Sequence, residues 1–93
     1  MKFILLGSID AKWATKHRQR MRLARAKAKQ LGVKVEQVYY TQGEYDFVDV
    51  ADAPNAEAML AFSVWYATKG LGRIRTMPAF AEKSFVAATK KAR

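Results

Sequence analysis

In the stretch TQGEYDFVDVAD (residues 41–52), Glu44, Asp46, Asp49 and Asp52 fall within nine consecutive positions of an otherwise basic chain. Ionisable side chains carried by a strand beside a cleft can act on a ligand, and here Tyr45 and Asp46 are the candidates for moving a proton. His17, the only histidine, is the third candidate, because imidazole titrates near neutral pH. Each has a structural reading beside the chemical one. His17 falls on an apolar stripe, where it packs in a core or an interface rather than serving as a general base or haem ligand. Asp46 can pair with Arg73 or Arg75, or cap backbone amides, with no chemistry at all. Asp46 and Asp49 sit on opposite faces of a strand, so no cation site is expected from them. Trp13, Tyr39, Tyr40, Tyr45, Trp65 and Tyr66 supply either an aromatic pocket or core. The candidate ligand-contacting set is Trp13, His17, Tyr40, Tyr45, Asp46 and Arg75, with no metal and no cofactor expected. The absence of cysteine removes disulfides, thiolate ligands and thiol nucleophiles.

These residues must be positioned by the elements around them. KFILLGSI, VKVEQVYYT, YDFVDVA and GRIRTMPAF are apolar and rich in β-branched or aromatic residues, predicting strands over 2–8, 33–41, 45–51 and 72–79. Asp10 as a cap and Gly32 as a stop bound a predicted helix over 11–31; Asn55 and Gly70 bound another over 55–69. The first has a narrow stripe of His17, Met21, Ala24, Ala28 and Leu31, joined by Trp13 and Ala14. The second is apolar nearly all round. Ala56, Met59, Leu60, Ser63, Val64 and Ala67 are expected to face a sheet. Two right-handed crossovers around a central hairpin give a ferredoxin-like βαββαβ fold of the α+β class, an antiparallel four-stranded sheet with both helices on one face. The expected domain spans 1–80, and AEKSFVAAT begins a short C-terminal helix and basic tail over 81–93. The first and third strands are central. Either Phe3, Leu5, Tyr45 and Phe47 or Ile4, Leu6, Val48 and Val50 must then face away from the helices, and the expectation is that the Asp46 side meets the helix layer. An exposed apolar sheet face predicts a second copy packed sheet to sheet, a dimeric α/β barrel.

Charge is concentrated in one segment. Of 17 Lys and Arg, nine lie between residues 11 and 35 with no acid among them; the rest of the chain holds eight of each sign, so the whole +9 sits there. Lys12, Lys16, Arg18, Arg20, Arg22, Arg25, Lys27 and Lys29 are expected to form an outward ridge. Like charges four apart repel by tenths of a kcal/mol each, for example Arg18 with Arg22. An anionic partner, an acidic protein or nucleic acid, would relieve that repulsion, as would solvent and salt. Nucleic acid would meet the helix alone, since the third strand carries acids where an RNA-reading sheet carries basic residues and aromatics. MKFILLGSI reads as a strand rather than a secretory leader, and no apolar run approaches the roughly 18–20 residues of a membrane span. A cytoplasmic protein without a membrane role is expected.

YYTQGEYDFVDVADAPNAEAML followed by GLGRIRTMPAFAEKSF resembles the GYD domain family, whose Gly, Tyr and Asp correspond here to Gly43, Tyr45 and Asp46. The resemblance is most specific at the hairpin and at RTMPAF, covers residues 36–85, and implies a ferredoxin-like domain of the dimeric α/β barrel superfamily. Three functions stay open. One is an oligomeric ligand-binding or interaction module whose basic helix docks an anionic partner. Another is a cofactor-independent enzyme of the monooxygenase or isomerase type, and the third is non-specific nucleic-acid binding through the first helix.

Overall fold

The computed structural model describes residues 1–93. Its elements run β1 (Lys2–Gly7), α1 (His17–Leu31), β2 (Lys34–Tyr40), β3 (Phe47–Asp52), α2 (Ala56–Thr68), β4 (Ile74–Ala79) and α3 (Glu82–Lys91), with a 3-10 turn at Ala11–Trp13 between β1 and α1. The sheet order is β2-β3-β1-β4, antiparallel throughout. This is the ferredoxin-like arrangement with β1 and β3 in the centre.

Which face turns inward is set by size. Phe3 pairs with Ala51, Leu5 with Asp49 and Gly7 with Phe47 across β1 and β3, alternating large with small so that one layer fits under the helices. Gly7 is part of that fit, because a Cβ there would overlap the Phe47 ring. Phe3, Leu5, Phe47 and Ala51 are buried, whereas Ile4, Leu6, Val48 and Val50 face away and are half-buried. The inward side of β3 is therefore the Asp49 side, not the one expected.

The helices differ from their predicted form in two respects. α1 starts at His17 because the chain before it is tied down elsewhere: Asp10 N–H donates to Leu71 C=O at 2.8 Å, and Trp13 packs against the Phe47, Tyr66 and Leu71 cluster. Asp10 caps the 3-10 turn instead, accepting from Lys12 N at 3.1 Å. α1 stops where Gly32 takes a left-handed φ of 74°, a conformation glycine adopts without a Cβ clash. α2 begins at an Asn55 cap whose side chain accepts from Ala58 N at 2.8 Å. Its buried stripe is Met59, Phe62 and Tyr66, and Leu60 (63% exposed) and Val64 (56%) point to solvent rather than to the sheet. A helix apolar on every side gives no periodicity from which to choose. Full burial of a Leu or Met side chain such as Leu5, Met59 or Leu71 contributes about 1.5–3 kcal/mol.

α3 is exposed along its length and displays Phe85 and Val86 just beyond exposed Phe80. The molecule is 49 Å long against 19 Å in its thinnest direction. No helix is long and apolar enough to cross a membrane.

Candidate functional site

A cleft of about 560 Å3 opens between α1 and the β2–β3 side of the sheet. Its walls are apolar: Met21, Ala24 and Ala28 from α1, Val38 from β2, Phe47 from β3 and Phe62 from α2. Exposed Arg25, Lys29 and Lys34 edge that lining, and four further polar side chains reach deeper into it, Arg20, Tyr40, Asp49 and Tyr66. All four are brought there by ordinary helix and strand periodicity. Arg20, Ala24 and Ala28 recur every four residues on the inner face of α1, and Tyr66 continues the Met59–Phe62 stripe of α2.

Arg20 is only 3% exposed. Its Nη1 donates to Tyr66 Oη at 3.3 Å and its Nη2 to Tyr40 Oη at 3.4 Å, while the guanidinium lies over the Phe47 and Tyr40 rings at 5.7 and 6.0 Å. Tyr66 Oη donates in turn to Ser8 C=O at 3.4 Å, and Tyr40 Oη donates to Met21 Sδ at 3.5 Å. Two neutral hydroxyls and two ring faces offset only part of the cost of burying a cation, which is several kcal/mol. Arg20 Nε has no partner, and neither has Asp49 Oδ1. The two groups feel each other across the cleft, yet the chain's ion pairs are elsewhere, at Met1 with Asp52 and Lys2 with Glu36. Burial pushes the Asp49 carboxyl up to about 6, against the opposing pull of Arg20. Burial also raises the Tyr66 phenol, again opposed by Arg20, so that it remains a neutral hydroxyl near pH 7.

The sequence candidates are dispersed by comparison. Tyr40 lines the cleft, and His17 stands beside it, exposed, with its ring edge-on to Tyr40 at 5.4 Å. Trp13 lies in the neighbouring core cluster with Lys16 Nζ 5.7 Å from its ring. Asp46 is a clasp: its Oδ2 accepts from Ile9 N at 2.6 Å, its own N–H donates to Gly7 C=O and its C=O accepts from Thr41 N. Tyr45 C=O accepts from Thr41 Oγ1 at 2.6 Å. The hairpin thus holds Ser8 and Ile9, the strand end on which Tyr66 rests. Arg75 is exposed on the opposite sheet face, opposite Leu6, and does not meet Asp46. Along the basic segment Lys12, Lys16, Arg18, Arg22, Arg25 and Lys29 are exposed and Lys27 is half-buried, donating to Gln30 Oε1 at 3.3 Å. Arg20 leaves that ridge for the interior. The residues that sequence reasoning missed are Arg20 as an inner group, Asp49 and the hydroxyl of Tyr66; the spacing of Arg20 from Ala24 and Ala28 was the available signal.

The GYD domain family model matches residues 6–89. No curated protein matches the chain in sequence. Among solved structures, a 5-chloro-2-hydroxyhydroquinone dehydrochlorinase from Burkholderia phenoliruptrix AC1100, in complex with 2,5-dihydroxybenzoquinone, is similar with a TM-score of 0.61 and 12% sequence identity, over 90% of this chain and 98% of that one. That likeness is one of fold.

Proposed function

The chain belongs to the GYD domain family, and from that premise we propose that it is a homo-oligomeric small-molecule-binding module whose ligand enters the cleft between α1 and the sheet. The observation that carries this reading is the buried Arg20 guanidinium and the Asp49 carboxyl bordering one apolar cavity, each with an unpartnered polar atom. Groups desolvated in this way are costly unless something satisfies them. The half-buried apolar sheet face of Ile4, Leu6, Val48 and Val50 supports a sheet-to-sheet partner copy. The exposed remainder of the basic helix, Arg18 and Arg22 above all, supports docking of an anionic partner on the outside. Ligand screening by NMR tests the central reading: hits must move the Arg20 Nε–H and Val38 methyl resonances, and hits that leave both unmoved overturn it. Sedimentation as a monomer at micromolar concentration would remove the oligomer. Titration of duplex DNA, RNA and an acidic polypeptide at low and near-physiological salt tests the ridge, where no binding even at low salt leaves it a solubility feature.

A second reading is favoured by one observation. A carboxyl raised to about 6 can both accept and return a proton near neutral pH, so the cleft supports cofactor-independent proton-transfer chemistry. Asp49 would be the exchanging group and Arg20 the stabiliser of negative charge on the substrate. The similar solved structure is an enzyme, a dehydrochlorinase, which agrees with this reading without carrying it.

A further inference from the structure

The charges around the cleft are unbalanced in a way that specifies its ligand. Arg20, Arg25 and Lys29 line it from α1 and Lys34 from β2, with Tyr40 and Tyr66 as neutral hydroxyls, while Asp49 is the only acid. Four cations against one carboxyl draw in an anion. An anion seated beside Arg20 also comes against Asp49, and two negative charges sharing a low-dielectric pocket repel unless one takes a proton. Protonated, Asp49 gains an O–H that can donate, while its other oxygen still accepts. Arg20 has its two Nη groups turned to Tyr66 and Tyr40, leaving the Nε edge, which suits an oxyanion side-on.

We infer that the cleft binds a small apolar organic acid as its anion, with Arg20 Nε–H and a protonated Asp49 both donating to the anionic oxygens, so that one proton is taken up with each ligand. This rests on the cleft being a ligand site, as proposed above. It accounts for both unpartnered atoms with a single ligand group. The apolar body lies along Met21, Ala24 and Val38, and the anionic end reaches the Arg20–Asp49 side. The proton comes from solvent and returns there on release; no covalent bond changes.

The probe is benzoate, which stays ionised throughout the range tested, with benzyl alcohol as its neutral counterpart. Titration calorimetry in two buffers of different ionisation enthalpy at pH 7 and pH 8 gives affinity and proton number together. The expected result is uptake of close to one proton and affinity for benzoate about tenfold lower at pH 8 than at pH 7, with benzyl alcohol weaker and insensitive to pH. Asp49→Asn keeps a donor and carries no charge, so benzoate should bind it with no proton uptake and equal affinity at both pH values. Arg20→Gln should lose benzoate binding while the folded state, checked by circular dichroism, persists. Benzoate binding without proton uptake overturns the inference, as does benzyl alcohol binding as tightly as benzoate. In either case ligands do occupy the cleft and the binding-module reading stands. If neither probe, nor any other ligand screened by NMR, moves the Arg20 Nε–H resonance, both fall.

Discussion

Asp46 and Asp49 are three positions apart in the same stretch of chain, and the fold treats them in opposite ways. Asp46 is held by the Ile9 amide at 2.6 Å and locks the hairpin to the end of β1. Asp49 turns under α1, where burial weakens its acidity and leaves Oδ1 without a partner. The first carboxylate is satisfied by the backbone and contributes stability, about 1.5–3 kcal/mol for a hydrogen bond to a charged group. The second costs stability and leaves a buried oxygen without a partner in a residue that lines the cleft. A carboxylate in a sequence motif is therefore not the better candidate for chemistry merely because it is in the motif. The one left unsatisfied inside is.

Substitutions can break this contrast or sharpen it, and the largest effect is expected at Arg20. Arg20→Ala removes the cation that offsets Asp49 and the donor to the Tyr40 and Tyr66 hydroxyls; loss of one partner in a buried charged cluster costs about 3–5 kcal/mol, read as a lower urea midpoint. Asp46→Ala leaves the Ile9 amide unpaired and should cost about 1–3 kcal/mol in the same assay, with benzoate binding otherwise retained. If Asp46→Ala instead abolishes binding in a fully folded protein, the contrast between clasp and site collapses.

Asp49→Asn should move in the other direction. The carboxyl titrates at about 6 in the fold and near 4 unfolded, so between those values the native state holds more protons and stability falls as pH rises. The penalty is absent below about pH 4 and complete above about pH 6. Removing it should raise the melting temperature at pH 8 and leave it nearly unchanged at pH 4, a gain on the order of 1 kcal/mol once the partial exposure of Asp49 is allowed for. A variant that is less stable than the parent at pH 8 would show that Asp49 is satisfied after all. The smallest effect belongs to the outer face of α1. Replacing Arg18 and Arg22 together by Gln should change stability by under about 0.5 kcal/mol, toward greater stability at low salt, because it relieves one repulsive pair.

The order of strands and helices was legible because each segment carries its own period and its own stop signal, such as Asn55 before α2 and Gly32 after α1. The α3 segment was legible as a helix, though not in its outward placement. Facing was harder. β3 alternates clearly, but Phe47 and Ala51 on one side and Val48 and Val50 on the other are equally apolar, and only the fit of Phe47 against Gly7 and of Ala51 against Phe3 decides between them. That information is non-local. The inward turn of Arg20 was hidden for a related reason: it stands among seven other cations and looks like them by type, while its interior place follows from sharing a face with Ala24 and Ala28. Asp46 was put forward for chemistry through its motif, whereas Asp49 was weighed only as half of a cation pair, although both lie in the same strand region.

Gly7 does not line the cleft, yet it fixes the place of a ring that does. The Phe47 ring that roofs this glycine is the same ring over which the Arg20 guanidinium rests and against which Tyr66 stands edge-on at 6.1 Å. Positions 7 and 47 are thus one variable rather than two: a side chain at 7 is admissible only if the ring at 47 shrinks, and shrinking it deepens the chamber and frees the guanidinium to tilt. A paired exchange such as Gly7→Ala with Phe47→Leu would retune which molecules fit, with Arg20 and Asp49 left untouched. Diverging lineages and protein engineers alike could widen the repertoire of this scaffold at one wall position and the glycine packed behind it.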